Sequence, residues 1–244
     1  MPKMFVISDV HSYYNEMQKA LDEAGFDPEN KEHVLISCGD EWDRGKQPLE
    51  VMKFFNSLER KVIIKGNHTQ LFEDLCLRGY PMWYDRSNGT KDTVQILGQY
   101  KLDHGFDLCC ERAWNYTKVF RSNMVNYFET QNYIFVHSWI PTITQGDDCC
   151  TYNKNWRNAS QKEWDAAMWN NPFKMAERGL NQTGKTIVFG HWHCSTGWAK
   201  DEERSEFGPD AEWSLYYGDG IIGIDRCTAH TGECNVLVIT DEFI

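Results

Sequence analysis

Short apolar runs alternate with segments of helical periodicity over the first third of the chain. Val, Ile, Leu and Phe dominate the apolar runs, which is typical of buried strands, and residues such as Met17, Leu21 and Ala24 recur at helical spacing before Gly25. The pattern predicts three strands, over 3–8, 33–37 and 61–64, separated by two helices. The first helix ends at Gly25. The second begins at Pro48 and turns Val51, Met52, Phe55 and Leu58 toward the core. This βαβαβ pattern predicts a parallel sheet with right-handed crossovers.

The rest of the chain is less regular and rich in aromatic residues. The pattern predicts helices capping the sheet over 69–127, strands over 133–136 and 186–189, a loop over 146–159, a helical segment over 162–180 broken at Pro172, and an exposed loop over 201–212. Segments 221–225 and 235–240 are predicted to pair as antiparallel strands around Thr231 and Gly232. No repeat or linker interrupts the chain, so we expect one domain over residues 1–244.

Polar residues with the chemistry of metal ligands follow several of the predicted strands. They stand in five fragments, namely Asp9-Val10-His11, Gly39-Asp40-Glu41-Trp42-Asp43-Arg44-Gly45, Gly66-Asn67-His68, His137 after a run ending at Val136, and Gly190-His191-Trp192-His193. An open α/β sheet places its ligand-binding loops at the carboxyl ends of its strands. Oxygen and imidazole donors arriving together from several strand ends suit two divalent cations.

The spacing of the fragments suggests how the ligands divide between two metal ions. Asp9 and His11 are two residues apart and can converge on the first ion, and Asp40 can bridge both ions through its two oxygens. The second ion would also receive the following ligands: Asn67, His137 and His191. The hydroxide shared by the two metals would attack phosphorus in line, which predicts metal-assisted phosphoester hydrolysis.

The remaining polar residues of these loops fit roles in catalysis. His68 follows Asn67, so its imidazole can face the substrate as general acid, with Asp43 orienting it and raising its pKa. Arg44 offers a planar fork for phosphate oxygens, with Asn67 beside it. The alternatives are a surface ion pair between Asp43 and Arg44, glycines that only make turns, and single His or Asp side chains that are merely hydrogen-bonded.

Composition limits the partners and the compartment. The 244 residues carry a net charge of −11, which argues against nonspecific binding to nucleic acid or to an anionic membrane. No run approaches the length of a membrane span, and the nine cysteines form no CxxC pair. We therefore expect a soluble, cytoplasmic protein with reduced thiols, although a disulfide between Cys227 and Cys234 stays open.

Together these fragments resemble the phosphoprotein phosphatase branch of the calcineurin-like metallophosphoesterases. That family pattern runs D-x-H, G-D-x-x-D-R-G, G-N-H-E and two separated histidines, and the segments around Trp83 to Thr93, Tyr133 to His137 and Ile224-Asp225 resemble bacterial and phage members. The resemblance covers nearly the whole chain. It implies an α/β fold, a four-layer α/β/β/α sandwich, with a dinuclear site holding Mn, Fe or Zn, of which we expect Mn.

Three departures from the family pattern affect the site. Thr69 replaces the Glu of G-N-H-E, and Ser138-Trp139 follows His137 where the family has small residues. The G-H-x-H of the broader superfamily makes His193 a candidate extra ligand of the first metal, the alternative being an imidazole outside the ligand set. The second phosphate-binding arginine of the branch has no clear counterpart; Trp169 occupies the expected place, and the nearby candidates are Arg157 and Arg178.

Three functions remain in competition. The first is a metal-dependent phosphatase for phosphomonoesters, plausibly phosphoserine or phosphothreonine in proteins. The second is a hydrolase of symmetrical dinucleoside polyphosphates, of the diadenosine tetraphosphate type, or of another nucleotide, with exposed tryptophans stacking a base. The third is a catalytically silent fold that serves as an interaction module. The full set of candidate ligands favours an enzyme, and the sequence leaves the substrate, the metal and the oligomeric state open.

Overall fold

Two mixed β-sheets form the centre of the molecule. The structure is a computed structural model, and it describes residues 1–101, 105–145 and 149–244. The first sheet contains β1 (Lys3–Ile7), β2 (His33–Ser37), β3 (Lys61–Ile64), β4 (Met124–Val125) and β12 (Leu237–Thr240). The second contains β5 (Tyr127–Glu129), β6 (Tyr133–Val136), β9 (Thr186–Phe189), β10 (Tyr216–Gly218) and β11 (Ile221–Gly223). A small hairpin joins β7 (Ile143–Gln145) to β8 (Cys149–Thr151).

Parallel strands occupy the middle of both sheets. The first sheet has the order β12-β1-β2-β3-β4, with β1 to β4 parallel and β12 antiparallel to β1, so that Lys3 lies opposite Thr240. The second has the order β10-β11-β9-β6-β5, with β6, β9 and β11 parallel and antiparallel strands at both edges. Parallel strands deliver their carboxyl ends to one edge, which is where the loops of an active site can meet.

Helices cover the outer face of each sheet. The first layer holds α1 (Tyr14–Ala24), α2 (Pro48–Ser57), α3 (Asn67–Arg78), α4 (Trp83–Ser87), α5 (Thr90–Leu97), α6 (Phe106–Tyr116) and α7 (Lys118–Ser122). The second holds a 3-10 helix (Trp156–Asn158), α8 (Gln161–Ala167), α9 (Pro172–Glu177) and α10 (Cys194–Asp201), and α11 (Thr228–Thr231) precedes the last strand. No helix among the described residues is long and apolar enough to cross a membrane.

Alternation along the strands divides the core into three layers of side chains. Met4 and Val6 of β1 pack between the sheets against Phe135 and Val188, whereas Phe5 and Ile7 point outward to the first helical layer. Outward residues of β6, β9 and β11 pack in the same way against the second helical layer. The predicted four-layer α/β/β/α sandwich is therefore confirmed.

Two local predictions were wrong. Segments 221–225 and 235–240 do not form a hairpin: β11 pairs with β9 and β10 in the second sheet, while β12 pairs with β1 in the first, and α11 lies between them. The loop predicted over 146–159 contains β8 and the 3-10 helix; its residues 146–148 lie outside the described residues. The first error arises because strand pairing depends on contacts between segments distant in sequence.

Candidate metal centre

The candidate ligands meet at the carboxyl ends of five parallel strands. Asp9 and His11 follow β1, and Asp40 follows β2; the other ligand loops are Asn67-His68 after β3, His137 after β6 and His191 after β9. All of these side chains except that of His191 are buried, and His191 is half-buried. The sheet edge therefore collects side chains that span 183 positions of the chain from Asp9 to His191.

Backbone hydrogen bonds align the ligand loops with one another. The amides of Asp9 and His11 donate to the carbonyls of Gly39 and Asp40, each at 3.0 Å, and the amide of Gly190 donates to His137 O at 2.8 Å. The Asp9 carboxylate in turn accepts from the backbone of His191 at 2.8 Å. Main-chain contacts thus join the loops within each sheet, and the Asp9 carboxylate joins the two sheets at the site, which fixes the candidate ligands relative to each other.

Asp40 lies at the centre of the cluster. Its Oδ2 is 3.5 Å from His137 Nε2, 3.9 Å from His68 Nε2 and 4.0 Å from His11 Nε2. Two groups of ligating atoms share it: His11, Asp40 and His68 form the first, and Asp40, His137 and His191 form the second. Asp9 lies beside the first group, with Oδ1 3.8 Å from His11 Nε2.

The donor atoms of the second group fit a cation. His137 Nδ1 donates to Cys38 O at 2.8 Å, so its Nε2 carries a lone pair, and that lone pair faces Asn67 Oδ1 at 2.7 Å. With the ring neutral, Nε2 and Asn67 Oδ1 are two adjacent acceptors that can bind the same cation. His11 is oriented likewise, since Nδ1 donates to Trp42 O at 2.9 Å and leaves Nε2 free for a ligand bond.

Burial and mutual proximity shift the pKa values at the site. Burial would raise the pKa of Asp40, but the imidazoles led by His137 and His68 hold it far below its usual range. Burial, with Arg44 and His68 nearby, lowers the pKa of His11 well below 6.5, and burial beside His137 lowers the pKa of His191 to about 3. An ionised Asp40 carboxylate beside neutral His11 and His191 imidazoles is the protonation state that a divalent cation would require of these residues.

His68 differs from the other imidazoles in its partner. Its Nδ1 donates to Asp43 Oδ2 at 2.7 Å, and Asp43 also accepts from Thr90 Oγ1 at 2.5 Å. Burial lowers the pKa of His68, but the Asp40 carboxylate and then the hydrogen bond to Asp43 raise it above its ordinary value. A protonated ring can give up a proton from Nε2, which points toward Asp40.

Arg44 completes the wall of a pocket of about 270 Å³ above these ligands. The pocket is also lined by Asn67, His68, His191 and Asn88. Arg44 itself is exposed, and its backbone nitrogen contacts Asn88 O at 3.3 Å. A guanidinium on the rim of a pocket that is lined by candidate metal ligands can bind a phosphoryl oxygen.

His193 lines the pocket but belongs to neither group of ligating atoms among the described residues. Its Nδ1 lies 2.9 Å from Ser195 Oγ, and its Nε2 is 3.4 Å from Glu206 Oε1. Its role as an extra ligand stays a prediction, and in this conformation both ring nitrogens already have partners.

Neither candidate for the second phosphate-binding arginine lines this pocket. Arg157 binds Glu129 through Nε at 2.8 Å, and Arg178 Nη1 contacts Cys150 Sγ at 3.3 Å. Trp169, which stands where that arginine was expected, does line the pocket, with its indole edge-on to His191 at 6.3 Å.

Asp225 lines the pocket although the sequence indicated no role for it. Asp225 is buried, accepts from the backbone of Cys227 at 2.6 Å and lines the pocket, and burial beside Asp9 raises its pKa well above the ordinary value. The Ile224-Asp225 segment was recognised only as part of the family pattern, which placed it near the C-terminus without indicating that it returns to the site.

Known proteins share this sequence pattern and fold. A family model described as calcineurin-like phosphoesterase matches residues 2–224. The serine/threonine-protein phosphatase 2 of Salmonella typhimurium is 24% identical over 196 residues, which cover 77% of this chain and 78% of that protein. The symmetrical bis(5'-nucleosyl)-tetraphosphatase of Erwinia tasmaniensis is 38% identical over 94 residues, but these cover 38% of this chain and only 31% of that relative's length.

Solved structures share the fold at low sequence identity. A protein serine/threonine phosphatase from Saccharomyces cerevisiae has a TM-score of 0.55 at 12% identity, covering 100% of this chain and 80% of that one. A cold-active protein tyrosine phosphatase has a TM-score of 0.54 at 15% identity, covering 98% and 75%. With the family model spanning most of the chain and the His and Asp groups gathered around Asp40, the chain belongs to the calcineurin-like phosphoesterase family and is a metal-dependent phosphoester hydrolase.

Proposed function

We propose that this protein hydrolyses phosphomonoesters, specifically phosphoserine and phosphothreonine in proteins. The observation that carries the proposal is the arrangement around Asp40, whose carboxylate lies among His11, Asp9, His137 and His191, while His68 of the first group is held by Asp43 and is taken here as the proton donor. That arrangement supplies two cation sites and one proton donor within a single pocket.

The proposed ligands divide between two divalent cations, of which Mn is our first choice and Fe or Zn the alternatives. Asp9, His11 and Asp40 would hold the first, and Asp40, Asn67, His137 and His191 the second; His193 stays a proposed extra ligand. When bound, the cations lower the pKa of water and neutralise charge on the phosphoryl oxygens.

His68 and Arg44 act on the substrate in this proposal. Asp43 holds the imidazole of His68 by the 2.7 Å hydrogen bond, so that Nε2 can protonate the leaving oxygen of the serine or threonine. Arg44, on the rim of the pocket, binds the non-bridging oxygens with Asn67 and draws phosphate toward the site in an otherwise acidic protein.

The relatives favour a protein substrate. The Salmonella serine/threonine-protein phosphatase aligns with most of both chains, whereas the match to the tetraphosphatase covers less than half of either. Phosphorylated proteins are therefore the proposed partners of the pocket.

A dinucleoside polyphosphate is the second candidate substrate. Trp169 favours it, because its indole lines the pocket, is 47% exposed and is fixed by a hydrogen bond from Nε1 to Gln70 Oε1 at 2.9 Å. An exposed and oriented indole beside a phosphate site can stack on a nucleobase.

Product analysis on the Mn-loaded protein distinguishes the two substrates. The protein receives a phosphothreonine peptide and diadenosine tetraphosphate together, and the products are separated by chromatography. We expect free phosphate and an intact dinucleotide. Release of ADP from the dinucleotide with an untouched peptide would instead assign nucleotide hydrolysis and overturn the proposal.

A His68→Asn variant serves as the control for contaminating phosphatases. We expect its turnover to fall by about 10²–10⁴-fold while its metal content stays at the wild-type value. Activity that survives this substitution unchanged would come from another protein.

A further inference from the structure

A second depression, here named the cationic groove, opens between the two helical layers beside the metal centre. It encloses about 580 Å³ and is lined by Lys65, Glu73, Arg121, Asn126, Arg157 and Gln161, among others. Asn126 and Gln161 join its two walls through reciprocal amide hydrogen bonds of 3.0 and 3.1 Å. These two hydrogen bonds therefore fix the shape of the groove and connect both halves of the sandwich.

Among the residues that line the cationic groove, three are basic and one, Glu73, is acidic. Glu73 binds both Lys65 Nζ at 2.8 Å and Arg121 Nη1 at 2.9 Å. Glu129 binds both Arg157 and Lys185. Glu73 and Glu129 together neutralise two of the three cations that line the groove, so the groove keeps one excess positive charge in a chain whose net charge is −11.

Aromatic rings hold the guanidinium groups in place. Arg121 lies over the Trp114 ring at 3.8 Å, and Arg157 lies over the Trp156 ring at 4.3 Å. The Arg157 side chain is 41% exposed, and within the described residues its Nη1 has no hydrogen-bond partner. A pre-positioned donor with a free N–H loses little entropy when it binds a carboxylate.

The cationic groove begins where the metal centre ends. Lys65 directly precedes Gly66 and Asn67, and α3 carries both His68 and Glu73. Five residues of α-helix rise about 7.5 Å and turn by about 140°, so the groove lies round α3 from His68, and an extended peptide needs at least about two to three residues to cover the rise alone. A peptide whose phosphoryl group lies at His68 can thus place side chains two to four positions away in the groove.

The aromatic residues of the cationic groove offer no free face for a nucleobase. Tyr127 and Trp164 stack on each other with centroids 5.1 Å apart and planes 10° apart, and Trp164 is buried. Carboxylate recognition by cations therefore fits this groove better than base stacking.

We propose that the cationic groove binds acidic residues two to four positions from the phosphorylated residue of a protein substrate. This inference rests on the proposed function and adds a preference among phosphoproteins. The groove then acts as a docking surface outside the pocket, with Arg157 and Lys65 contacting the substrate and Arg121 contributing charge from a more buried position.

The test compares two phosphoserine peptides that differ only in carrying Glu or Gln at positions two to four residues from the phosphoserine. We expect kcat/KM for the acidic peptide to exceed that for the neutral peptide by about five-fold at low ionic strength, and the ratio to fall toward one at high salt. Arg157→Gln should bring the ratio close to one, whereas Arg157→Lys should keep most of it.

The control substrates and variants separate docking from catalysis. Arg157→Gln should leave turnover of p-nitrophenyl phosphate, which is too small to reach the groove, within about two-fold. Lys19→Gln removes an exposed charge on α1, outside the groove, and should leave the peptide preference unchanged. An equal rate for both peptides, or a preference that survives Arg157→Gln, would overturn the inference.

Fluorescence anisotropy with the unphosphorylated peptides keeps the inference testable if phosphopeptides are not hydrolysed. Binding of the acidic peptide that weakens in Arg157→Gln supports the groove even where the proposed function fails. The groove is refuted as a peptide site if the acidic peptide does not bind, or if only an RNA oligonucleotide binds. Phosphopeptide hydrolysis is tested separately, by its own products.

Discussion

Residues at the metal centre adopt backbone conformations that L-amino acids seldom occupy. The following site residues have positive φ angles: Asp9 (52°), His11 (45°), Asp40 (59°), Asp43 (76°), Arg44 (59°) and His191 (64°). Each such residue costs about 1–3 kcal/mol and persists only where its surroundings enforce it. Here the loop-to-loop hydrogen bonds of Asp9 and His11 do so. The strain turns each side chain toward a common centre.

Gly66 gives the first prediction at the scale of single residues. A Cβ at this position would lie 2.1 Å from Asp40 Oδ1 and 2.6 Å from Asp40 N. Gly66→Ala should therefore displace the bridging carboxylate, reduce bound metal measured by inductively coupled plasma mass spectrometry, and lower kcat by about 100-fold or more.

Gly184→Ala is the matched control for Gly66→Ala. A Cβ there meets no atom within 4 Å, although φ is +73°. It should cost about 1 kcal/mol of stability and leave the metal content unchanged. Full metal occupancy in Gly66→Ala would show that the Asp40 loop tolerates displacement.

Asp43 gives the second residue-scale prediction. Asp43→Asn preserves an acceptor for His68 Nδ1 but removes the charge that favours the protonated ring. Turnover of an alkyl phosphate, whose leaving group needs a proton, should fall by about 10–100-fold, and turnover of p-nitrophenyl phosphate should fall much less. Equal losses on both substrates would contradict a role in proton donation. Metal content should stay constant, because Asp43 belongs to neither ligand group.

The sequence predicted where the candidate ligands lie better than it predicted which other residues surround them in the pocket. Ligands at strand ends, such as Asp40 and His137, were identifiable because a β-type run directly precedes each of them. Asp225 and Trp169 have no such local marker. Their place in the pocket depends on how later loops return to the sheet edge, which no short-range pattern encodes.

At the scale of elements, periodicity predicted strands but not their partners. β1, β2, β3, β6 and β9 appear where apolar runs predicted them. β11 and β12 were also recognised as strands, yet they join different sheets because α11 separates them and each finds a partner distant in sequence. The first helices followed the pattern, since Gly25 ends α1 with φ +80° and Pro48 begins α2.

Glu129 on β5 gives a pH-dependent prediction at this scale. Hydrogen bonds from Arg157, and then from Lys185, lower its pKa below the ordinary 4.5 despite burial. A depressed pKa means that the stabilisation is complete above pH 4.5 and is lost as pH falls through the folded-state pKa. Glu129→Gln should therefore lower Tm by about 3 °C at pH 7, and the difference should vanish once the pH falls below the folded-state pKa of Glu129.

Differential scanning fluorimetry across this pH range provides the measurement. Glu23→Gln removes an exposed carboxylate paired with Lys19 at 3.9 Å and should leave Tm almost unchanged at every pH. If the Tm difference between Glu129→Gln and the wild type instead grew toward acidic pH, the pKa of Glu129 would be raised by folding, which would contradict the prediction.

At the scale of the whole molecule, the end of the chain joins the two sheets. Asp241 follows β12 of the first sheet, and its carboxylate accepts from Thr130 Oγ1 at 2.7 Å and from the Asn132 backbone and side chain at 2.8 and 2.7 Å. Thr130 and Asn132 lie in the turn between β5 and β6 of the second sheet. One buried side chain therefore links the two sheets beside the amino end of β1, opposite the end that carries the candidate ligands.

Asp241→Ala should lower the free energy of unfolding by about 3 kcal/mol, because three charge-assisted hydrogen bonds disappear and their donors stay unpaired. Urea denaturation monitored by circular dichroism measures the change. Asp241→Asn, which keeps one acceptor oxygen, should lose about half as much. A loss below about 0.5 kcal/mol for the alanine variant would show that the link carries little of the stability.

The pairing of β1 with β12 has a consequence for how the protein is made. β1, which begins at Lys3, has one of its two neighbours in β12, and β12 is synthesised after every other strand of the two sheets. Until β12 has left the ribosome, that flank of β1 has no partner and the first sheet stays incomplete. Until then the backbone groups on that edge of β1 are unpaired, and chaperones have an exposed strand edge to bind.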